Sequence, residues 1–120
     1  MIRPNLLAWQ WNDYAAKHRD RENLLIHLVA VPLFQVGTVI LVVGAAVRSA
    51  PGIGIAVACL AAALVSEGRG HAREAETPTP FDGPLDFASR FVAEQWITFP
   101  RFVLTGAWRR SFRAAAGPRP

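Results

Sequence analysis

The chain has a single cysteine, a single lysine and no charged residue at all between Leu24 and Val47. One cysteine cannot build an internal disulfide framework or a multi-cysteine metal site, and its apolar neighbours mark Cys59 as a core residue. No serine stands in a nucleophile elbow and no glycine-rich loop is set to cradle a phosphate. With Cys59 away from all three histidines, a hydrolase has no support. The net charge is +4, yet the aromatic and glycine interleaving of an RNA-binding surface is missing, so nucleic acid is not an expected partner. Charged residues make up only 18% of the chain, against about 25% in an ordinary soluble domain. A secretory signal is not expected either, because Trp9, Gln10, Trp11, Asn12 and Asp13 stand where its apolar core would be. Internal repeats and low-complexity tracts are absent as well.

What is present is apolar and unevenly placed. At 120 residues the chain is one domain, and 52% of it is hydrophobic, gathered in the middle with the charges toward the ends. Twelve of its thirteen cations are arginines, which flank the apolar stretch as they would beside an anionic membrane surface.

Residues 1–22 read as a short amphipathic helix with Leu7, Trp11 and Tyr14 near one face, and Trp9, Trp11 and Tyr14 suit a membrane interface. From Leu24 to Val47 runs an uncharged segment that, as a helix, reaches about 36 Å, enough to cross a hydrocarbon core of about 30 Å. Pro32 would kink it. Arg48 to Gly52 make a tight connection. The second apolar run, Ile53 to Ser66, reaches only about 21 Å and spans only if the helix continues through Glu67. Gly54, Ala58 and Ala62 form a small-residue stripe on which the first helix is expected to pack. Residues 68–86, rich in proline and glycine, read as a loop. Phe87 to Phe112 reads as a pair of interfacial amphipathic helices that Pro100 must start, kink or break.

The expected fold is therefore all-α. It is an integral membrane helical hairpin over residues 1–113, with spans at about 24–47 and 51–67, flanking amphipathic helices and a frayed tail at 114–120. The connection carries only Arg48 while both flanks are rich in arginine, so both termini are expected in the cytoplasm, the protein being multi-pass in a bacterial-type inner membrane. Membrane lipid is one partner. A core this thin also leaves room for a homo-oligomer. The competing architecture, a soluble helical bundle, is disfavoured by the long uncharged run.

The hairpin has a chemical consequence. His27 begins the first span and His71 follows the second, so an antiparallel pair brings both to one level, and His18 must lie there too. Glu67, His71 and Glu74 share a face if the helix continues, and Asn23 is one turn from His27. His18 and His27 can meet only if the chain bends between them, most simply at Arg19 to Glu22. Imidazoles with carboxylates suit a divalent first-row metal, and two histidines plus a carboxylate is the non-haem Fe(II) pattern. An ionisable group inside an apolar run is functional by default. Each residue also has a plainer role. His27 can bond a carbonyl, Glu67 and Glu74 can pair with Arg69 or Arg73, Asn23 can be an N-cap, and Glu94 reads as a solvated helix residue.

The ordered pattern His18-x4-Asn23-x3-His27, Val31-Pro32, then Gly70-His71-x2-Glu74-x3-Pro78 resembles the yeast-type 2-hydroxy fatty acid dioxygenase family, Mpo-like membrane proteins. Phe81-x-Gly-Pro-x-Asp-Phe, Glu94-Gln95-Trp96 and Phe99-Pro100-Arg101-Phe102 resemble a bacterial branch of it, and the likeness covers roughly residues 5 to 112. The resemblance implies a place in lipid metabolism, with Fe(II) and O₂ used to cleave a 2-hydroxy fatty acid to the acid one carbon shorter. It also implies that His18, His27 and His71 are the catalytic and metal-binding histidines. Glu74 is the expected fourth ligand, with Glu67 and Asn23 in support. The competing function is a non-enzymatic membrane protein that binds lipid or a partner, its histidines being structural.

Overall fold

The computed structural model describes residues 1–115, and every element among them is helical. Helix α1 (Leu6–Tyr14) passes into a single 3₁₀ turn, Ala15–Lys17, and the chain then leaves helical geometry at His18. Asp20 starts the next helix. Its carboxylate accepts the Asn23 amide at 2.9 Å, a cap worth about 1 kcal/mol, and α2 runs Arg21–Ala46. Asn23 is thus not the N-cap that its position suggested. The bend falls at His18–Asp20, slightly earlier than the charged run implied. Pro32 lies inside α2 without ending it.

The turn that follows is built locally. Arg48 takes a left-handed conformation (φ 54°). The Ser49 hydroxyl then accepts the Gly52 amide at 3.1 Å, and Pro51 sits in the first helical turn, where its missing N–H is no loss. Helix α3 (Ala50–His71) is 22 residues long, about 33 Å, so the helix continues through Glu67 and the loop begins after His71, not at residue 68.

Helices α2 and α3 approach closely where glycines allow it. A Cβ on Gly37 would stand 3.0 Å from that of Cys59, and one on Gly44 would stand 3.3 Å from the Ile53 nitrogen. The face of α3 turned inward carries Ala56, Ala63, Glu67 and Gly70. Gly54, Ala58 and Ala62 are exposed, so the proposed packing stripe is on the wrong side. The phase of α3 is set by Glu67 and Gly70, which are buried against α2, and a stripe turned well away from those residues must face outward.

The remaining helices gather at one end of the hairpin. After α4 (Pro84–Ala93) the chain widens into a π-helical segment, Glu94–Thr98, where Phe99 donates its amide to the Glu94 carbonyl. It then continues as α5 (Phe99–Leu104) and, past a turn at Gly106, as α6 (Ala107–Ala115). Pro100 starts α5 and does not break the rod, because it falls in the first turn after the π segment. Tyr14, Leu24, Val31, Phe99 and Phe102 form the core there, with Trp11 and Trp108 against it. Trp108 donates to the Leu24 carbonyl at 3.0 Å. Ala114 and Ala115 close α6, and the rest of the tail that was expected to fray lies outside the described residues.

Both long helices are long and apolar enough to cross a membrane, and only 22% and 17% of their most apolar stretches are buried. A core helix of a soluble protein would be mostly buried. Here Val29, Val36, Val42, Ile55, Val57 and Val65 are all more than half exposed.

Candidate metal centre

The site lies at the end of the hairpin where α2 begins and α3 stops. His18 comes from the link between α1 and α2, His27 from the second turn of α2, His71 from the last residue of α3, and Glu94 from the first residue of the π segment. One ligand atom from each of the four falls within 4.8 Å of every other. The three imidazoles stand nearly perpendicular, with centroids 4.8 to 5.0 Å apart and interplanar angles of 81° to 87°. Rings in that arrangement aim nitrogens at a common centre and do not stack.

Backbone carbonyls set two of the tautomers. His18 Nδ1 lies 2.7 Å from the Tyr14 carbonyl and His27 Nδ1 lies 2.9 Å from that of Asn23. A carbonyl only accepts, so each Nδ1 carries a proton and each Nε2 is the ring nitrogen turned toward the cluster. Those Nε2 atoms and the Nδ1 of His71 are buried without a hydrogen-bond partner. Buried nitrogens of this kind are costly unless something binds them. Three imidazole nitrogens with one carboxylate are a donor set that fits a divalent transition metal.

The charges agree with that. Burial, opposed by Glu94, holds the His18 imidazole below its usual range and so neutral near pH 7. Burial alone would raise Glu94, but the neighbouring imidazoles of His18 and His27 keep its carboxyl well below the ordinary range, so it is an anion. Glu94 Oε2 is 3.4 Å from His18 Nε2 and 3.5 Å from His27 Nε2. Tyr14 is pushed up by burial and by Glu94, stays protonated, and donates to Glu94 Oε2 at 2.7 Å. Its ring also stacks on His18, with centroids 3.7 Å apart.

The surrounding shell differs from the expected one. Glu74 was expected among the ligands, but its carboxylate accepts the Arg19 amide (2.9 Å), the Asp20 amide (3.0 Å) and the Asn23 side chain (2.6 Å). With its oxygens so engaged it pins the His18 link and the start of α2 to the end of α3. It is a positioning residue outside the cluster. Asn23 is buried completely and lies so close to α3 that a Cβ on Gly70 would overlap its amide oxygen. Glu67 lies 3.3 Å from His27 Nε2 and accepts Gln95 Nε2 at 2.9 Å, beside the four-residue cluster rather than in it. Glu94, taken from sequence as solvated, is the carboxylate that faces the histidines, its side chain only 13% exposed. The doublet Glu94-Gln95, set among Phe91, Ala93, Trp96 and Ile97, was the available signal.

A cavity of about 340 Å³ opens onto this cluster and is lined by His18, His71, Glu67 and Glu94, with Trp9, Lys17 and Phe91 farther out. Fold and site together define an all-helical protein that carries a buried histidine–carboxylate cluster able to hold a metal ion at one end of an apolar hairpin. The family model described as 2-hydroxy-palmitic acid dioxygenase Mpo1-like matches residues 5–103, and the chain belongs to that family. No curated protein and no solved structure matches it.

Proposed function

We propose that the protein is a membrane-embedded Fe(II)-dependent dioxygenase that converts a 2-hydroxy fatty acid to the acid one carbon shorter. The observation that carries this reading is the convergence of three unpartnered imidazole nitrogens and the Glu94 carboxylate in a buried, family-matched segment. His18, His27, His71 and Glu94 would hold the metal. Bound there, Fe(II) would supply the one-electron chemistry that lets O₂ react with a closed-shell organic acid.

The chain's own groups do the rest. The Tyr14 and Asn23 carbonyls engage Nδ1 of His18 and His27, which orients both rings so that each Nε2 faces the site before a metal arrives. Glu94 offsets part of the cation's charge, and the Tyr14 hydroxyl holds that carboxylate in place. Burial of His27 keeps bulk water from that side of the site. The reaction balances without an outside reductant: the C1–C2 bond of the hydroxy acid breaks, and one O₂ yields the shorter acid, carbon dioxide and water.

In this reading α2 and α3 span the bilayer with their valine-rich faces against lipid, and the metal centre lies near one membrane surface. The same reading has both termini on the cytoplasmic side, which the arginine-rich flanks favour. Anaerobic Fe(II) loading of detergent-purified protein, followed by O₂ uptake with and without 2-hydroxypalmitate, tests the function. Uptake that depends on substrate, with a product one carbon shorter, is expected. Tight iron binding with no uptake would reject the substrate class, and no iron binding would reject the metal centre.

A further inference from the structure

The metal-centre cavity does not end at the histidines. Leu64, Phe87 and Phe91 line it, and the same three residues line a second cavity of about 310 Å³. The walls of this second cavity are completed by Phe34, Val57, Leu60 and Ala61, so it has no polar side chain. Sharing those three side chains, the two cavities adjoin between α3 and α4, and taken together they are a path that is polar at His71 and apolar from Leu64 onward. Along α3 it extends from His71 to Val57, about 21 Å at 1.5 Å per residue. One acyl chain reaches about 15 Å, half of a bilayer's ~30 Å hydrocarbon core, so the path is long enough for a long acyl chain with its head group at the polar end. Its far end opens beside Val57 and Ala61, both exposed on the apolar stretch of α3.

We propose that this path is the acyl-chain site of the substrate. The carboxylate and 2-hydroxyl sit at the histidine cluster, and the tail lies over Leu64 between Phe87 and Phe91 and runs toward Val57. Chain length is then selected by Ala61 and Leu60, and the substrate enters sideways from the lipid. Burying the tail there removes apolar surface from water along its whole length, while the charged head stays at the polar end. The proposal rests on the dioxygenase reading for the identity of the head group, but the path itself is independent of turnover.

Two measurements test it on the full chain in lipid nanodiscs. A 2-hydroxypalmitate analogue with a diazirine at its methyl end should label Phe34 and the Val57–Ala61 stretch, read by peptide mass spectrometry. Label confined to Trp9–Lys17 or to residues 77–81 would mean that the tail leaves by the other mouth and would overturn the proposal. Separately, Ala61→Trp should lower the kcat/KM ratio of 2-hydroxypalmitate to 2-hydroxyoctanoate at least tenfold. Ala62→Trp, on the outward face of the same helix, should leave that ratio alone. An unchanged ratio in Ala61→Trp would overturn the groove while the dioxygenase reading stands. Specific labelling of α3 with no O₂ uptake on any 2-hydroxy acid would support the groove and reject the dioxygenase.

Discussion

The two ends of the helical hairpin are made of different materials. At the turn, Arg48, Ser49 and Pro51 join α2 to α3 with one hydroxyl cap, and the helices nearby pack through Gly44 against Ile53. At the other end His18, Asn23, His27, Glu67, Glu74 and Gln95 are all buried, and four further helices cover them. Burying this many polar groups is costly, and a protein that needed only a stable hairpin would have repeated the turn end's solution. The polar end keeps three unpartnered ring nitrogens in place of that economy. On the proposed function, chemistry belongs to the polar groups and stability mainly to the apolar contacts, and substitutions should separate the two.

The largest separation is expected at His71→Ala. It should abolish metal binding and turnover, measured as iron per chain and O₂ uptake, while the protein still inserts and purifies as the wild type does. Full metal stoichiometry in that variant would remove the cluster as the metal site. Next come the two carboxylates, Glu94 facing the histidines and Glu74 outside the cluster. Glu94→Gln should weaken metal binding by about 100-fold or more, since an anionic donor becomes a neutral one. Glu74→Gln should cost about 10-fold by loosening the link that carries His18, and it should also lower the unfolding temperature. Equal effects on affinity would mean that Glu74 contributes more than positioning.

That contrast shows what the sequence could and could not disclose. The meeting of His18, His27 and His71 was legible because it needs only two facts: an antiparallel hairpin, and histidines at its open end. Glu94 was hidden because it lies 23 positions beyond His71, after a proline-rich loop whose path no local pattern specifies. Its inward direction also depends on the π segment, which shifts the helical phase at that residue. The small-residue stripe failed for a related reason. Spacing shows that Gly54, Ala58 and Ala62 share a face, but the side that packs is chosen by the burial of Glu67 and Gly70. The extension of α3 through Glu67 was foreseen as a condition for spanning, and the helix does continue to His71.

Acid should act on the polar end alone. His18 is held below its ordinary value by burial, so the unfolded chain takes up a proton near pH 6.5 that the folded chain refuses. Glu94 is held low, so its contribution is present above about pH 4.3 and is lost as pH falls toward its folded value. Both signs agree. The metal-free protein should therefore lose more stability from pH 7 to pH 5 than a His18→Gln variant does, compared by unfolding temperature. Substitution of Ser49 by Ala at the turn should not alter that pH dependence, and a steeper slope in that variant would tie the turn to the titrating end.

The smallest effects come from a matched pair of glycines on α3. A Cβ on Gly70 would overlap the Asn23 amide oxygen, and the nearest atom is on a fully buried side chain that Glu74 holds in place. Gly70→Ala should therefore cost on the order of 2 kcal/mol and weaken metal binding, because Asn23 can yield only by moving the first turns of α2 that carry His27. A Cβ on Gly54, near the turn, would meet nothing within 4 Å. Gly54→Ala should stabilise the protein by about 0.5 kcal/mol through helix propensity alone, with metal affinity unchanged. Denaturation in a mild detergent with iron titration of each variant reads both quantities. If Gly54→Ala were destabilising, the outward face of α3 would have a packing partner in the folded assembly, and a second copy of the chain would be the first to look for.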